Sequence, residues 1–283
     1  MVLETIINPI TAERKPWEMI FIGIVYSLVA VGLSYWIFHE HMSLVMVFLA
    51  TMVSVPLLYN TIKLEEKKDM VVSEEKILLK EHGKVLSFLL FLFIGFTITF
   101  ASCYVLFPND LTQTAFSVQT QTITNINTGA TGNFHNSLNV FSRILLNNLK
   151  VLVFCILFAF IYGLGAIFIL TWNASVIGAA IGSFIKVGIA KEANLLGFAA
   201  VANYFQAISL GVLRYSIHGI PEIAAYFIGG LAGSIISIAV VRHDLGTKKY
   251  ENILLDSSDL IVIAIVVLFL AALLEVYVTP LLF

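Results

Sequence analysis

Met19-Ile-Phe-Ile-Gly-Ile-Val-Tyr-Ser-Leu-Val-Ala-Val-Gly-Leu-Ser-Tyr-Trp-Ile-Phe38 runs for 20 residues without a charge. A helix of about 20 apolar residues rises 1.5 Å per residue and matches the roughly 30 Å hydrocarbon core of a bilayer. The stretch has no polar face for water, so a helix of a large soluble bundle is excluded. It is also longer than the 7–15-residue core of a cleaved signal, and no small-residue cleavage site follows it.

The rest of the chain repeats this pattern. Of 283 residues, 59% are hydrophobic and only 12% charged, where a soluble domain carries about 25% charged residues. The expected fold is an all-α, polytopic bundle of about seven transmembrane spans with a re-entrant or interfacial segment. The spans are expected near 17–38, 43–59, 84–107, 151–172, 194–214, 220–241 and 259–281. Asn173–Gly188 is apolar but short, which reads as the re-entrant segment, with Asn173 capping it. Leu138, Phe141, Ile144, Leu145 and Leu149 recur at helical spacing and describe an amphipathic surface helix leading into the fourth span.

Basic residues set the orientation. Arg14 and Lys15, the lysines between Lys63 and Lys84, and Arg242, Lys248 and Lys249 all fall in segments assigned to the cytoplasm, while Pro108–Leu138 has no Lys or Arg. The N-terminus is therefore expected inside and the C-terminus outside, in a multi-pass plasma-membrane protein. The domains are an N-terminal hairpin with a cytoplasmic linker helix (1–83) and a five-helix core (84–283) carrying an outer loop (108–142). Lys186 and Lys191 fall on the cytoplasmic side of this arrangement.

No soluble-enzyme motif is present: no Walker loop, no His-Glu-x-x-His pair and no Gly-x-Ser-x-Gly elbow. No catalytic residue, metal or cofactor is assigned, and the chain is expected not to be an enzyme. A net charge of −2 points away from nucleic acid. Cys103 and Cys155 lie in apolar runs and read as small buried hydrophobes.

The most pointed feature is His218-Gly219-Ile220-Pro221-Glu222. Pro221 suits the first turn of the sixth span, which puts Glu222 about one turn inside it. With Arg214 closing the fifth span and Glu275 in the outer third of the seventh, four ionisable groups share one depth near the outer face. Charges there are costly unless paired or hydrated. The alternatives are a salt-bridge knot and a solute or proton site. Asn147, Asn173, Asn203 and Gln206 are read as core polar residues that hydrogen-bond between helices. Gly178–Gly182 and Gly229–Gly233 have the Gly-x-x-x-Gly spacing of close helix contacts, within one chain or between two copies, which leaves a homodimer open. Both sit in Ile-Gly-x-x-x-Gly-Ser, at Ile177–Ser183 and Ile228–Ser234, a coincidence that chance explains in so glycine-rich a chain.

The His218–Glu222 motif, with the small-residue run Ala224–Gly233 behind it, resembles the signature of the stage II sporulation protein M family. So does the stretch from Asn147-Asn148 through Gly163-x-Gly165 to Asn173 and Ile177-Gly178, apart from Ala174, where a glycine is expected. The resemblance covers Lys84–Phe283 and implies a five-helix core with a long outer loop after its first helix. It also implies a membrane anchor that joins a peptidoglycan-degrading complex without being its enzyme, although relatives occur in organisms that do not sporulate, archaea among them. The expected partners are membrane lipid and other membrane or envelope proteins, reached through the Thr/Asn/Gln-rich outer loop or the Lys/Glu-rich inner segment. The function expected first is a non-catalytic scaffold; the alternative is a channel or transporter for a small solute, ion or lipid.

Overall fold

The computed structural model describes residues 14–71, 75–130, 137–162, 166–191, 198–241 and 248–282. Every element among them is helical: α1 (Met19–Ile37), α2 (Met42–Val71), α3 (Glu75–Leu106), α4 (Asn109–Ala115), α5 (Ser117–Ala130), α6 (Ser137–Tyr162), α7 (Ala166–Lys191), α8 (Phe198–Val241) and α9 (Lys248–Leu273). α9 continues through a π-helical turn, Leu274–Val278, into Thr279–Leu282. Seven of these helices are long and apolar enough to cross a membrane.

The molecule is apolar outside. Phe21, Trp36, Phe48, Phe154, Phe205 and Leu255 are exposed, as suits a surface that meets lipid rather than water. Polar groups turn inward or back on their own helix. Ser27, Thr51, Ser54 and Thr61 each donate to the carbonyl four residues earlier, which satisfies the hydroxyl without breaking the helix.

Three glycine seams hold the bundle. Gly23 of α1 and Gly95 of α3 pack backbone to backbone: a Cβ on Gly23 would meet the Leu92 carbonyl, and one on Gly95 the Ile20 carbonyl. Gly178 and Gly182 of α7 lie against Phe100 and Tyr104 of α3, with a Cβ on each falling 2.7 Å and 2.6 Å from the neighbour's Cβ. Gly229 and Gly233 of α8 lie against Leu152 and Ile156 of α6. In the last two seams contact positions rise together, so α3 runs parallel to α7 and α6 parallel to α8. Gly188 meets Ala207 while Gly211 meets Phe184 and Ile185, so α7 and α8 are antiparallel. The two parallel pairs therefore point in opposite directions. Their registers match: Phe100, Cys103 and Tyr104 correspond to Leu152, Cys155 and Ile156, each 52 positions on, and Gly178 and Gly182 to Gly229 and Gly233, each 51 on. The shared heptapeptide thus has one structural role, used twice.

The observed boundaries correct three expectations. Asn173–Gly188 is not re-entrant but the body of α7, and Asn173 is no cap: its Nδ2 donates to Ile169 O at 2.8 Å. The amphipathic helix and most of the fourth span are one helix, α6, because its surface and buried faces continue the same helical stripe. The fifth and sixth spans are also one helix, the 44-residue α8, with Pro221 in its interior rather than its first turn. Neighbouring helices let a membrane helix run through a proline, and only isolated polar residues separate the two runs. At 1.5 Å per residue α8 is about 66 Å long, twice a hydrocarbon core. Its first part exposes Tyr204, Phe205, Ile208 and Leu213, while its second part is buried.

The segment expected as an outer loop is largely helical and folds back into the bundle. Phe116 is fully buried beside Tyr104, ring centroids 5.1 Å apart. Gln119, also fully buried, accepts from Ser43 Oγ at 2.6 Å and donates through Nε2 to Ser43 O and Ser175 Oγ, both at 3.1 Å. Lys186 closes the same end. Its Nζ donates to Phe107 O at 3.0 Å and Thr112 Oγ1 at 3.2 Å, placing a cation on the last carbonyls of α3. Lys186 therefore shares the end that carries Pro108, called distal below, and not the opposite end. The side chain of Lys191, and residues 163–165, 192–197 and 242–247, lie outside the described residues.

Candidate functional site

The sequence's charged cluster is assembled by α6, α8 and α9. Arg214, His218, Glu222 and Tyr226 recur every four residues and form one stripe along α8. Ring contact between Phe227 and Phe93 (centroids 6.1 Å apart) fixes α8 near the middle of the Gly83–Leu106 span. By helical rise Glu222 lies about 8 Å, His218 about 14 Å and Arg214 about 20 Å distal of that level. Arg214, His218 and Glu222 are thus strung along the helix, not gathered at one depth. A continuous α8 spaces its side chains along the bilayer normal, whereas the expected hairpin would have turned them back on each other.

Glu222 sits where α8 faces α6. Tyr226 Oη donates to Glu222 Oε1 at 2.8 Å. Asn148 of α6 faces the same carboxylate, yet it is only 6% exposed and its Nδ2 has no partner within hydrogen-bond distance. Glu275 approaches from α9 within electrostatic reach of Glu222. It stands in the π-helical turn and makes no hydrogen bond or ion pair among the described residues. One such turn is wide enough to rotate the following side chains on the helix, and π turns recur at functional sites. That rotation sets Thr279 beside His218, with Nδ1 3.3 Å from Thr279 Oγ1. The Thr279 hydroxyl donates to Leu274 O at 3.1 Å. Its hydrogen is therefore committed, and His218 must be the donor through Nδ1–H, leaving Nε2 to accept.

Arg214 does not neutralise these acids. Its guanidinium lies over the Phe184 ring of α7, 5.6 Å from the centroid. Among the described residues no ion pair joins Arg214, His218, Glu222 and Glu275. No group of three His, Cys, Asp or Glu side chains there is placed to hold a metal ion. Of the expected core polar residues, Asn147 is exposed, and its neighbour Asn148 is the one turned inward. Asn203 is half-buried and Gln206 exposed, and neither makes an interhelical hydrogen bond among the described residues. Here α8 touches α7 through Ala207 and Gly211, which leaves Gln206 on the outward face. Gln119 and Asn148 were missed. The position of Gln119 rests on contacts 56 and 76 residues away in sequence, and only helical phase separates Asn148 from Asn147.

Helix count, apolar exterior and intramembrane polar stripe define an integral membrane protein of the multi-pass helical class. The stage II sporulation protein M family model matches residues 84–280, and the chain belongs to that family. An uncharacterized protein of Methanocaldococcus jannaschii is 31% identical over 143 residues, covering 50% of this chain and 71% of that protein. No solved structure matches the chain.

Proposed function

We propose that this protein moves a small ion or polar solute across the membrane, with the α6–α8–α9 cluster as its site. The observation that carries the reading is Glu222: a carboxylate at membrane depth that accepts a hydrogen bond from Tyr226 and makes no ion pair among the described residues. Groups of this kind are costly in a bilayer and mark solute or proton pathways. The oppositely directed glycine seams support it, because inverted repeats are the frame on which many transporters place a site. Nothing in the reading calls for catalysis. The lysine distribution supports an inner location of the N-terminus.

The test is permeation through proteoliposomes of phosphatidylethanolamine and phosphatidylglycerol, read with proton- and potassium-sensitive dyes under an imposed gradient. Wild-type vesicles are expected to leak one of these ions faster than empty ones, and Glu222→Gln vesicles to match empty ones. Equal rates in wild type and variant would remove Glu222 from the path. Equal rates in wild-type and empty vesicles would sink the ion reading.

A second reading is the non-catalytic scaffold that recruits partners or shapes the envelope. It is favoured by the exposed aromatic and aliphatic side chains on the first part of α8, including Tyr204 and Phe205. The α4–α5 segment serves it poorly as a docking loop, since Phe116 and Gln119 are buried in the bundle.

A further inference from the structure

We propose that the outward face of α6 holds an anionic phospholipid of the distal leaflet, its phosphate drawn down between Arg143 and Lys150 toward the middle of the bilayer. This goes beyond the transport reading above and does not depend on it.

The apolar exterior is broken on α6. Asn139, Arg143, Asn147 and Lys150 are all exposed. Their spacing of four, four and three residues puts them on one stripe of a helix with 3.6 residues per turn. Lys150 is two residues from the buried Asn148, so it turns away from the Glu222 cluster and not into it.

The glycine seam fixes the depth of the stripe. Leu152 packs on Gly229 with the two helices parallel, so Lys150 stands level with Phe227. Phe227 touches Phe93 near the middle of the Gly83–Leu106 span. Arg143 lies about 10 Å distal of Lys150 by helical rise. A lysine facing acyl chains at mid-depth is among the costliest placements in a bilayer. Lys150 makes no hydrogen bond or ion pair among the described residues, and α6 contains no Asp or Glu. The charge calls for an anion from outside the helix.

The flanks of the stripe say which anion. Leu146 lies beside it, and Val153, Phe154 and Leu157 continue the face proximally, all exposed. The face is open sideways to the bilayer, cationic in its distal half and apolar in its proximal half. A ligand that suits both halves carries an anionic head and acyl chains, and enters from the distal leaflet. Its phosphate accepts charge-assisted hydrogen bonds from a guanidinium and an ammonium together. A second copy of this chain fits poorly. A two-fold axis would set the stripe against itself, cation facing cation.

The full-length protein in detergent is titrated with phosphatidylglycerol and, separately, with phosphatidylcholine, and bound lipid is counted by native mass spectrometry. Wild type is expected to prefer phosphatidylglycerol. The preference should fall about tenfold in Lys150→Leu, the loss of one charged hydrogen bond, and persist in Lys150→Arg. The Tm of Lys150→Leu should match or exceed that of wild type, which separates lost binding from lost folding. No preference in wild type, or an equal preference in Lys150→Leu, would overturn the proposal. Glycerol phosphate competing as well as the lipid would make the face a site for a soluble anion and overturn it too. So would a dimer mass that Lys150→Leu converts to monomer, since the face would then belong to a second copy.

Discussion

The α3–α7 seam and the α6–α8 seam are built on the same heptapeptide and differ in what stands one or two turns away. Beside the first lie Phe96 and Thr171; at the matching places of the second lie Asn148 and Glu222. Phe96 and Thr171 are fully buried, and the first pair carries no ionisable group at these places. The second pair has the same frame and keeps a carboxylate and an unsatisfied amide inside it. An unpaired buried polar group costs about 1–3 kcal/mol, and a buried charge more. The first seam also encloses an unpartnered hydroxyl, Thr171 Oγ1, but no ionisable group, so the frame by itself does not call for the carboxylate of the second.

The largest effect should come from the backbone of the seams. A Cβ on Gly233 would fall 2.6 Å from the Ile156 carbonyl, which cannot move without moving its helix. Gly233→Leu is expected to remove the folded protein from a size-exclusion profile in detergent, since overpacking typically costs about 1–3 kcal/mol even where side chains can yield. A monodisperse, fully helical Gly233→Leu protein would show that α6 and α8 are not in close contact. The two seams should then separate on milder substitution. Gly178→Ala pushes on the Cβ of Phe100 and on α3 backbone, but Gly229→Ala pushes on side-chain atoms alone, the end of Leu152 foremost and then Ile156. A lower Tm is expected for Gly178→Ala than for Gly229→Ala, and the reverse order would mean the seams are not equivalent.

Next in size is Gln119→Leu, which leaves Ser43 and Ser175 without their shared partner. A loss of about 1–3 kcal/mol is expected, read as a fall in Tm. An unchanged Tm would show that α5 does not dock in the bundle. Lys186→Met should follow at roughly 1 kcal/mol, because it uncovers the last carbonyls of α3. A Tm equal to wild type would show that this capping is made by something else.

The smallest effect on stability, and the sharpest on the comparison, is Asn148→Leu. It makes the second seam resemble the first. Tm should hold or rise, since an orphaned donor is removed, while ion leak in vesicles falls. A large fall in Tm would instead make Asn148 structural.

The membrane class was legible because an uncharged run such as Met19–Phe38 has one physical solution. The α8 stripe was legible in its residues but not in its spacing. His218 and Glu222 stood out as charges in an apolar chain, while Pro221 read as a boundary although packed neighbours let the helix continue. Glu275 was seen, but the π turn that places it was not, because widening of one helical turn has no signature in residue type. Gln119 was hidden among a dozen Thr, Gln and Asn residues of similar character, and its partners lie on helices far away in sequence.

The bond from Gln119 to Ser175 sets an order of events during synthesis. When Gln119 leaves the ribosome, Ser43 is already made, but Ser175 lies 56 residues behind it. The α4–α5 segment is therefore made with its last contact still untranslated. It settles into the bundle after α6 and α7 have arrived. Assembly of this protein is not strictly sequential: one stretch is made early and docks late, and a single glutamine records its docking.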